Sequence, residues 1–192
     1  MADVKLDTSE IRELERIFGT IAPKELQKSM RRALSRTRTG ARTETSKKVR
    51  EIYNIQARRL KRDVVLTRPD YRRFAFRVIG RPKPIGLANF RGKSGPPRWR
   101  PSMPGVSVAV ENGKRKLIKH AFIRAGLHGN TQVFTRYRDD GSKSGRLPIR
   151  SLKGPSASDM MLGAEVEEML AERAVDRFNT ELSRNLKHLL GR

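Results

Sequence analysis

Residues 105–124 read GVSVAVENGKRKLIKHAFIR, and this stretch decides the fold class. A strand over Val106–Val110, a turn at Asn112-Gly113 and a strand over Lys116–Arg124 make a hairpin. Asn-Gly between two alternating runs is a strong hairpin signal, because both residues accept the positive φ angles of a tight turn. Outward from it, Gln132–Arg138 reads as a further strand, closed by Asp139-Asp140-Gly141, and 141–157 is rich in turn residues. On the other side, RGKSGPPRWRPSMPG at 91–105 reads as a loop or mobile hairpin tip. A short strand is expected over Pro84–Phe90, and another over Tyr71–Ile79 with Phe74, Phe76 and Val78 on one side.

Helices flank this region. Asp7-Thr8-Ser9-Glu10 looks like a helix start, followed by Ile11, Leu14, Ile17 and Phe18 on one face. Pro23 then opens a long helix, since proline suits a first helical turn. Leu26, Met30, Ala33, Leu34, Thr37, Ala41, Thr45, Val49 and Ile52 recur every three or four residues along it. Gly40 weakens its middle by about 1 kcal/mol relative to alanine and allows a kink. Residues 54–63 add a short helix. From Ser158, read as an N-cap, a last helix runs to about Leu190, with Leu162, Val166, Met169, Leu170, Phe178, Leu182, Leu186 and Leu189 as its apolar face. The fold class is therefore α+β, one domain over 1–192, with 1–66 helical, a central antiparallel sheet over 70–150 and a C-terminal helix over 158–190.

Charge divides the 192 residues more sharply than hydropathy does. Residues 23–153 hold 35 Lys or Arg against 8 Asp or Glu. Residues 1–22 hold 3 against 5, and residues 155–192 hold 5 against 7. A basic body between weakly acidic, amphipathic ends points to a polyanionic partner, and nucleic acid rewards Lys and Arg through counterion release. The chain has no cysteine, which excludes disulfides, thiolate metal sites and cysteine catalysis. MADVKLDTSE lacks the basic and apolar regions of a signal peptide, and no stretch approaches the ~20 apolar residues of a membrane span. The expectation is a soluble protein made in a cytoplasm, without membrane contact.

No chemistry-bearing motif survives inspection. Gly92-Lys93-Ser94 resembles the end of a phosphate loop, but Gly86 is one residue too far away and Gly95-Pro96-Pro97 follows where a helix should open. His120 and His128 flank a strand without a carboxylate cluster. A nuclease needs paired carboxylates on a metal, and between residues 81 and 153 only Glu111, Asp139 and Asp140 are available. No enzyme, cofactor or metal is expected. The suggestive cations are Arg91, Lys93, Arg98 and Arg100 around Trp99, joined by Lys114, Arg115 and Lys116 at the hairpin tip. Such a surface suits phosphate contacts without base reading, and a single Trp is too little for a stacking platform.

The stretch Gly105–Ser156 resembles the minor tail protein Z family of tailed bacteriophages. The matching residues are Gly105 to Val108, Ala121-Phe122-Ile123, Val133-Phe134 and Arg136, and then Leu147-Pro148-Ile149, Leu152 and Gly154-Pro155-Ser156. Ala33-Leu34-Ser35-Arg36-Thr37 and Arg50, Tyr53, Asn54 and Ile55 also fit it. The loop 91–104, richer in proline than the family's plainer basic stretch, departs from it. Physically, Leu147 to Ile149 suit an edge strand leaving the sheet, and Gly154-Pro155 breaks the chain before the last helix. The resemblance implies a virion protein that completes the tail at its head-proximal end, assembled in the host cytoplasm. It further implies a ring, a hexamer, that adjoins tail-terminator or tail-tube and head-connector proteins and contacts double-stranded DNA non-specifically. The alternative is a free, sequence-nonspecific nucleic-acid-binding protein of ribosomal or nucleoid type.

Overall fold

Helix α1 runs unbroken from Pro23 to Ile52, as its spacing predicts. Leu26, Met30, Ala33, Leu34, Thr37, Ala41, Thr45 and Val49 are buried, while Ile52 at the end is exposed. The computed structural model describes residues 2–5, 23–100, 105–126, 129–136 and 149–190. The helix expected over Asp7–Phe18 lies outside the described residues.

Helix α2 is Ala57–Asp63. The C-terminal helix is two helices, α3 at Ala157–Gly163 and α4 at Val166–Leu190. The break falls at Glu165, whose φ of 50° is left-handed and ends the run of helical hydrogen bonds. Alpha α4 packs antiparallel on α1. Asn185 Nδ2 donates to the Ser29 carbonyl (3.4 Å), Arg36 pairs with Glu181 (2.9 Å), and Glu44 pairs with Arg173 (3.0 Å). Between these contacts Ala174, Phe178, Leu182 and Leu186 are buried. Gly40 is not a kink; it lies against α4, where a Cβ would meet the end of the Arg177 side chain. Leu162, expected on the apolar face, is 81% exposed, because the break turns α3 off the α4 axis.

The expected single sheet is four small antiparallel ones among the described residues. Strands β1 (Ala2–Lys5), β2 (Val64–Leu66) and β3 (Ala75–Gly80) form the first, in order β1-β3-β2. The region 1–66 is thus not wholly helical. Residues 71–74, expected in the strand, form a turn that ends at Phe74 (φ 45°), with Asp70 and Ala75 exchanging backbone hydrogen bonds. Phe76 and Val78 point into the core, and Phe74 meets Phe178 edge-to-face at 6.4 Å. Strand β4 is only Ile85–Gly86, and a 3-10 turn at Leu87–Asn89 replaces the rest of the strand expected over 84–90.

Strands β5 (Arg98–Arg100), β6 (Gly105–Glu111) and β7 (Lys114–Lys119) make the hairpin sheet, so the loop expected at 91–105 contains a strand. Gly113 takes φ 77°, as the Asn-Gly turn requires. The strand expected over 116–124 is two strands. His120, at φ 59°, turns the chain out of β7 into β8 (Ala121–Ala125), which pairs with β9 (Thr131–Thr135) in another sheet. Strand β10 (Arg150–Ser151) extends that sheet, and β11 (Lys153–Gly154) pairs with β4. Asp139 to Gly141, His128, Leu147 and Pro148 lie outside the described residues.

The segment from Ile149 to Ser156 therefore bridges two sheets. Leu152 donates to the Val133 carbonyl (2.8 Å) and accepts from the Leu87 amide (3.1 Å). Gly154 is needed for packing, since a Cβ would stand 2.8 Å from the ring of the fully buried Phe90. The helix cap is Ser156, not Ser158. Asp159 stands three residues beyond Ser156 and completes a capping box, with the Asp159 amide on the Ser156 hydroxyl (3.2 Å) and the Ser156 amide on the Asp159 carboxylate (2.9 Å).

These bonds from Ser156 hold the Asp159 carboxyl below its usual pKa. The cap's contribution is therefore present above the unfolded-state pKa and fades as pH falls through the lower folded value. Ser156→Ala is expected to cost about 1 kcal/mol, or roughly 2–4 °C in thermal melting. Asp159→Asn should flatten the acid limb of the stability profile between those two pKa values.

Candidate nucleic-acid interface

The basic loop is held by one buried amide. Asn54, two residues beyond the end of α1, is fully buried. Its Nδ2 donates toward the carbonyls of Phe90 (3.3 Å), Gly95 (3.1 Å) and Ala109 (2.9 Å). Its Oδ1 accepts from the Ser94 amide at 2.9 Å. Its backbone joins in, donating to the Val110 carbonyl (2.8 Å) and accepting from Gly92 (3.1 Å). One residue thus ties the end of α1, the loop 90–95 and strand β6 together.

Arg115 closes the loop from the other side. Its guanidinium donates to the carbonyls of Ser94, Pro96 and Ser107, the last at 3.0 Å. Gly113 donates to the Ser94 hydroxyl (2.9 Å), so the hairpin tip sits against the loop. The Gly92 and Ser94 amides are consumed by Asn54, and β5 follows instead of a helix. This geometry leaves no phosphate cradle at Gly92-Lys93-Ser94.

The seven nominated cations are not equivalent. Lys93, Arg98, Lys114 and Lys116 are exposed, as is Arg91, whose Nε donates to the Ala88 carbonyl (2.9 Å). Lys114 pairs with Glu111 at 2.7 Å, and that bond holds the Glu111 carboxyl below and the Lys114 amine above their usual values. Both groups are in solvent, so the pair is worth little. Strand register places Arg98 across from Ser107, and Arg115 across from Ala109 two residues along, so the two share a face of the sheet. They flank Gly95, where a Cβ would lie 3.8 Å from Nη2 of each. Lys116, across from Val108, falls on the opposite face with Trp99, which is 56% exposed. Arg100 occupies the position across from Gly105. The structure thus gathers Lys93, Arg98 and Arg115 around the loop, while Lys114 and Lys116, two residues apart on β7, line a separate hollow with Val108, Val110 and Ile118.

Residues 5–192 match the family model described as prophage minor tail protein Z (GPZ). The chain belongs to the prophage minor tail protein Z family. No curated protein and no solved structure matches it. Of the motif residues, Ile149, Leu152 and Gly154-Pro155-Ser156 form the Z-family chain's sheet-to-helix bridge and cap. They hold the fold. A member of this family is a structural phage tail protein and a virion component.

Two features of this Z-family protein escape a reading of its sequence. Asn54 gives no local signal, because its partners lie 36 to 55 residues away. The first half of α1 gathers Lys24, Lys28, Arg31 and Arg32 beside Tyr71 in a shallow hollow of about 550 Å³, with Arg31 5.4 Å above the tyrosine ring. The four-residue spacing of Lys24, Lys28 and Arg32 was the available signal. Among the described residues no group of three or more His, Asp or Glu is placed to hold a metal, and no helix is long and apolar enough to cross a membrane.

Proposed function

We propose that this minor tail protein acts as one domain over 1–192 and completes the tail at its head-proximal end. In this reading its copies form a ring, six in number, between the tail-tube or terminator and the head connector. The basic loop then faces double-stranded DNA. The observation that carries the reading is the charge of residues 23–153, 35 Lys or Arg against 8 Asp or Glu, in a structural phage tail protein. Eight carboxylates leave most of those cations without an internal counter-charge. A ring through which DNA passes gives such a surface a polyanion to neutralise, with no need to read bases.

The anchoring of the loop supports the same reading. Asn54 and Arg115 fix the backbone of 92–96, so Lys93 and Arg98 are presented from a set platform. Phosphate contact from such a platform loses less side-chain and loop entropy than contact from a free tail.

Mass spectrometry and quantitative immunoblotting of purified particles test the location. The expected result is a fixed copy number divisible by six, retained after high-salt washing. Absence from particles, with the protein bound to bulk DNA in lysates, would instead make it a free nucleic-acid-binding protein.

A further inference from the structure

We infer that copies of this chain join head to tail through two charged stripes at opposite ends of the α1/α4 pair; the inference rests on the ring reading above and names its contact. One stripe is Lys24, Lys28 and Arg32 on α1, all exposed. The other is Glu168, Glu172 and Asp176 on α4, all exposed. Both repeat every four residues, so successive charges on each rise by about 6 Å along their helix. The two stripes therefore match in sign, number and spacing.

They cannot meet within one molecule. The pairing of Ser29 with Asn185 puts Lys28 beside the C-terminal end of α4. Glu172 lies roughly 20 Å back along that helix at 1.5 Å per residue. Complementary patches at separate places on one chain generate a heterologous contact, which closes into a ring when the rotation allows.

Among the described residues, neighbouring groups leave the stripes with a single ion pair. Arg173 and Arg177, which stand among the acids, are drawn to Glu44 at 3.0 and 4.0 Å. Among the described residues, Glu168, Glu172 and Asp176 make no ion pair. That single pair is on the basic side, Lys28 with Glu25 at 3.7 Å.

Each stripe also has an apolar neighbour. Tyr71, 40% exposed, walls the hollow over the cations. Leu162, 81% exposed, stands at the α3–α4 corner just before the acids. An apolar anchor beside a charged rim is the usual anatomy of a specific protein contact. A duplex, by contrast, would have no use for the acidic stripe or for Leu162.

Sedimentation velocity on the full chain and two triple variants tests this. One variant is Lys24→Glu, Lys28→Glu and Arg32→Glu; the other is Glu168→Lys, Glu172→Lys and Asp176→Lys. The wild type is expected to assemble, and each variant alone to assemble at least about a hundredfold more weakly, since facing like charges cost several kcal/mol. An equal mixture of the two should recover assembly, because every contact between unlike partners is again complementary. Glutamine at the same positions, which keeps the helix, should give an intermediate loss. A wild-type oligomer unaffected by either reversal overturns the inference and leaves the ring reading standing. A wild type that stays monomeric at all concentrations overturns both. A basic-stripe reversal that spares assembly but weakens binding of a duplex probe overturns the inference in favour of DNA.

Discussion

Replacing Asn54 by alanine is expected to lower the melting temperature by about 6–12 °C, from a loss of about 3 kcal/mol. The change removes the partner of three carbonyls and one amide, in a position with no access to water. Each orphaned buried group costs roughly 1–3 kcal/mol, and partial relaxation of the loop recovers some of the total. Because the lost bonds converge on residues 90–95, hydrogen exchange there should accelerate while the α1/α4 pair keeps its protection. Asn54→Asp keeps the acceptor for Ser94 and loses the donors, so it should free the loop while leaving the Ser94 amide protected. Uniform loss of protection across the protein would show that Asn54 supports the whole core and does not specifically hold the loop.

Neutralising Arg91, Lys93 and Arg98 to glutamine is expected to reduce affinity for a DNA duplex about a hundredfold at physiological salt. The slope of log affinity against log salt should fall by about 2.7, or 0.9 for each phosphate contact removed. The loss should be the same for unrelated sequences, because no base edge is read. Arg115 provides the contrast. Its guanidinium is occupied by the carbonyls of Ser94, Pro96 and Ser107. Arg115→Gln should therefore lower stability and loop protection while changing the salt slope by less than any one of the other three. An unchanged slope in the triple variant would remove the loop from the account.

What the sequence made legible follows from the range of the interactions involved. Helix α1 begins at Pro23 and ends at Ile52 because a proline and a long apolar stripe are local signals. The hairpin at Asn112-Gly113 was legible for the same reason. Strands β4, β10 and β11 are two residues each, below the length at which a period can be read. The alternation of Phe74, Phe76 and Val78 draws the expected strand back to Tyr71, yet the backbone bonds between Asp70 and Ala75 close residues 71–74 into a turn. The capping box at Ser156 and Asp159 carries a local signal, but Ser158 is an equally good N-cap type two residues on, and the choice between them rests on the Asp159 carboxylate.

The candidate site was legible as composition only. Residue type marks Arg98 and Arg115 alike as cations. Which of them is turned to solvent depends on carbonyls 8 to 21 residues away. The same limit hid the stripes on α1 and α4. Each reads as an ordinary solvated helix face, and only the antiparallel packing of the two helices shows that opposite charges sit at opposite ends.

The central claim is a place in the particle: a ring at the head-proximal end of the tail. A cryo-EM reconstruction of the neck of intact particles tests it most directly. The account predicts a six-fold ring there, into which the antiparallel pair α1 and α4 fits, with the loop 91–100 directed at the DNA density. The same pair found elsewhere along the tail, or a neck fully explained by other chains, would contradict it.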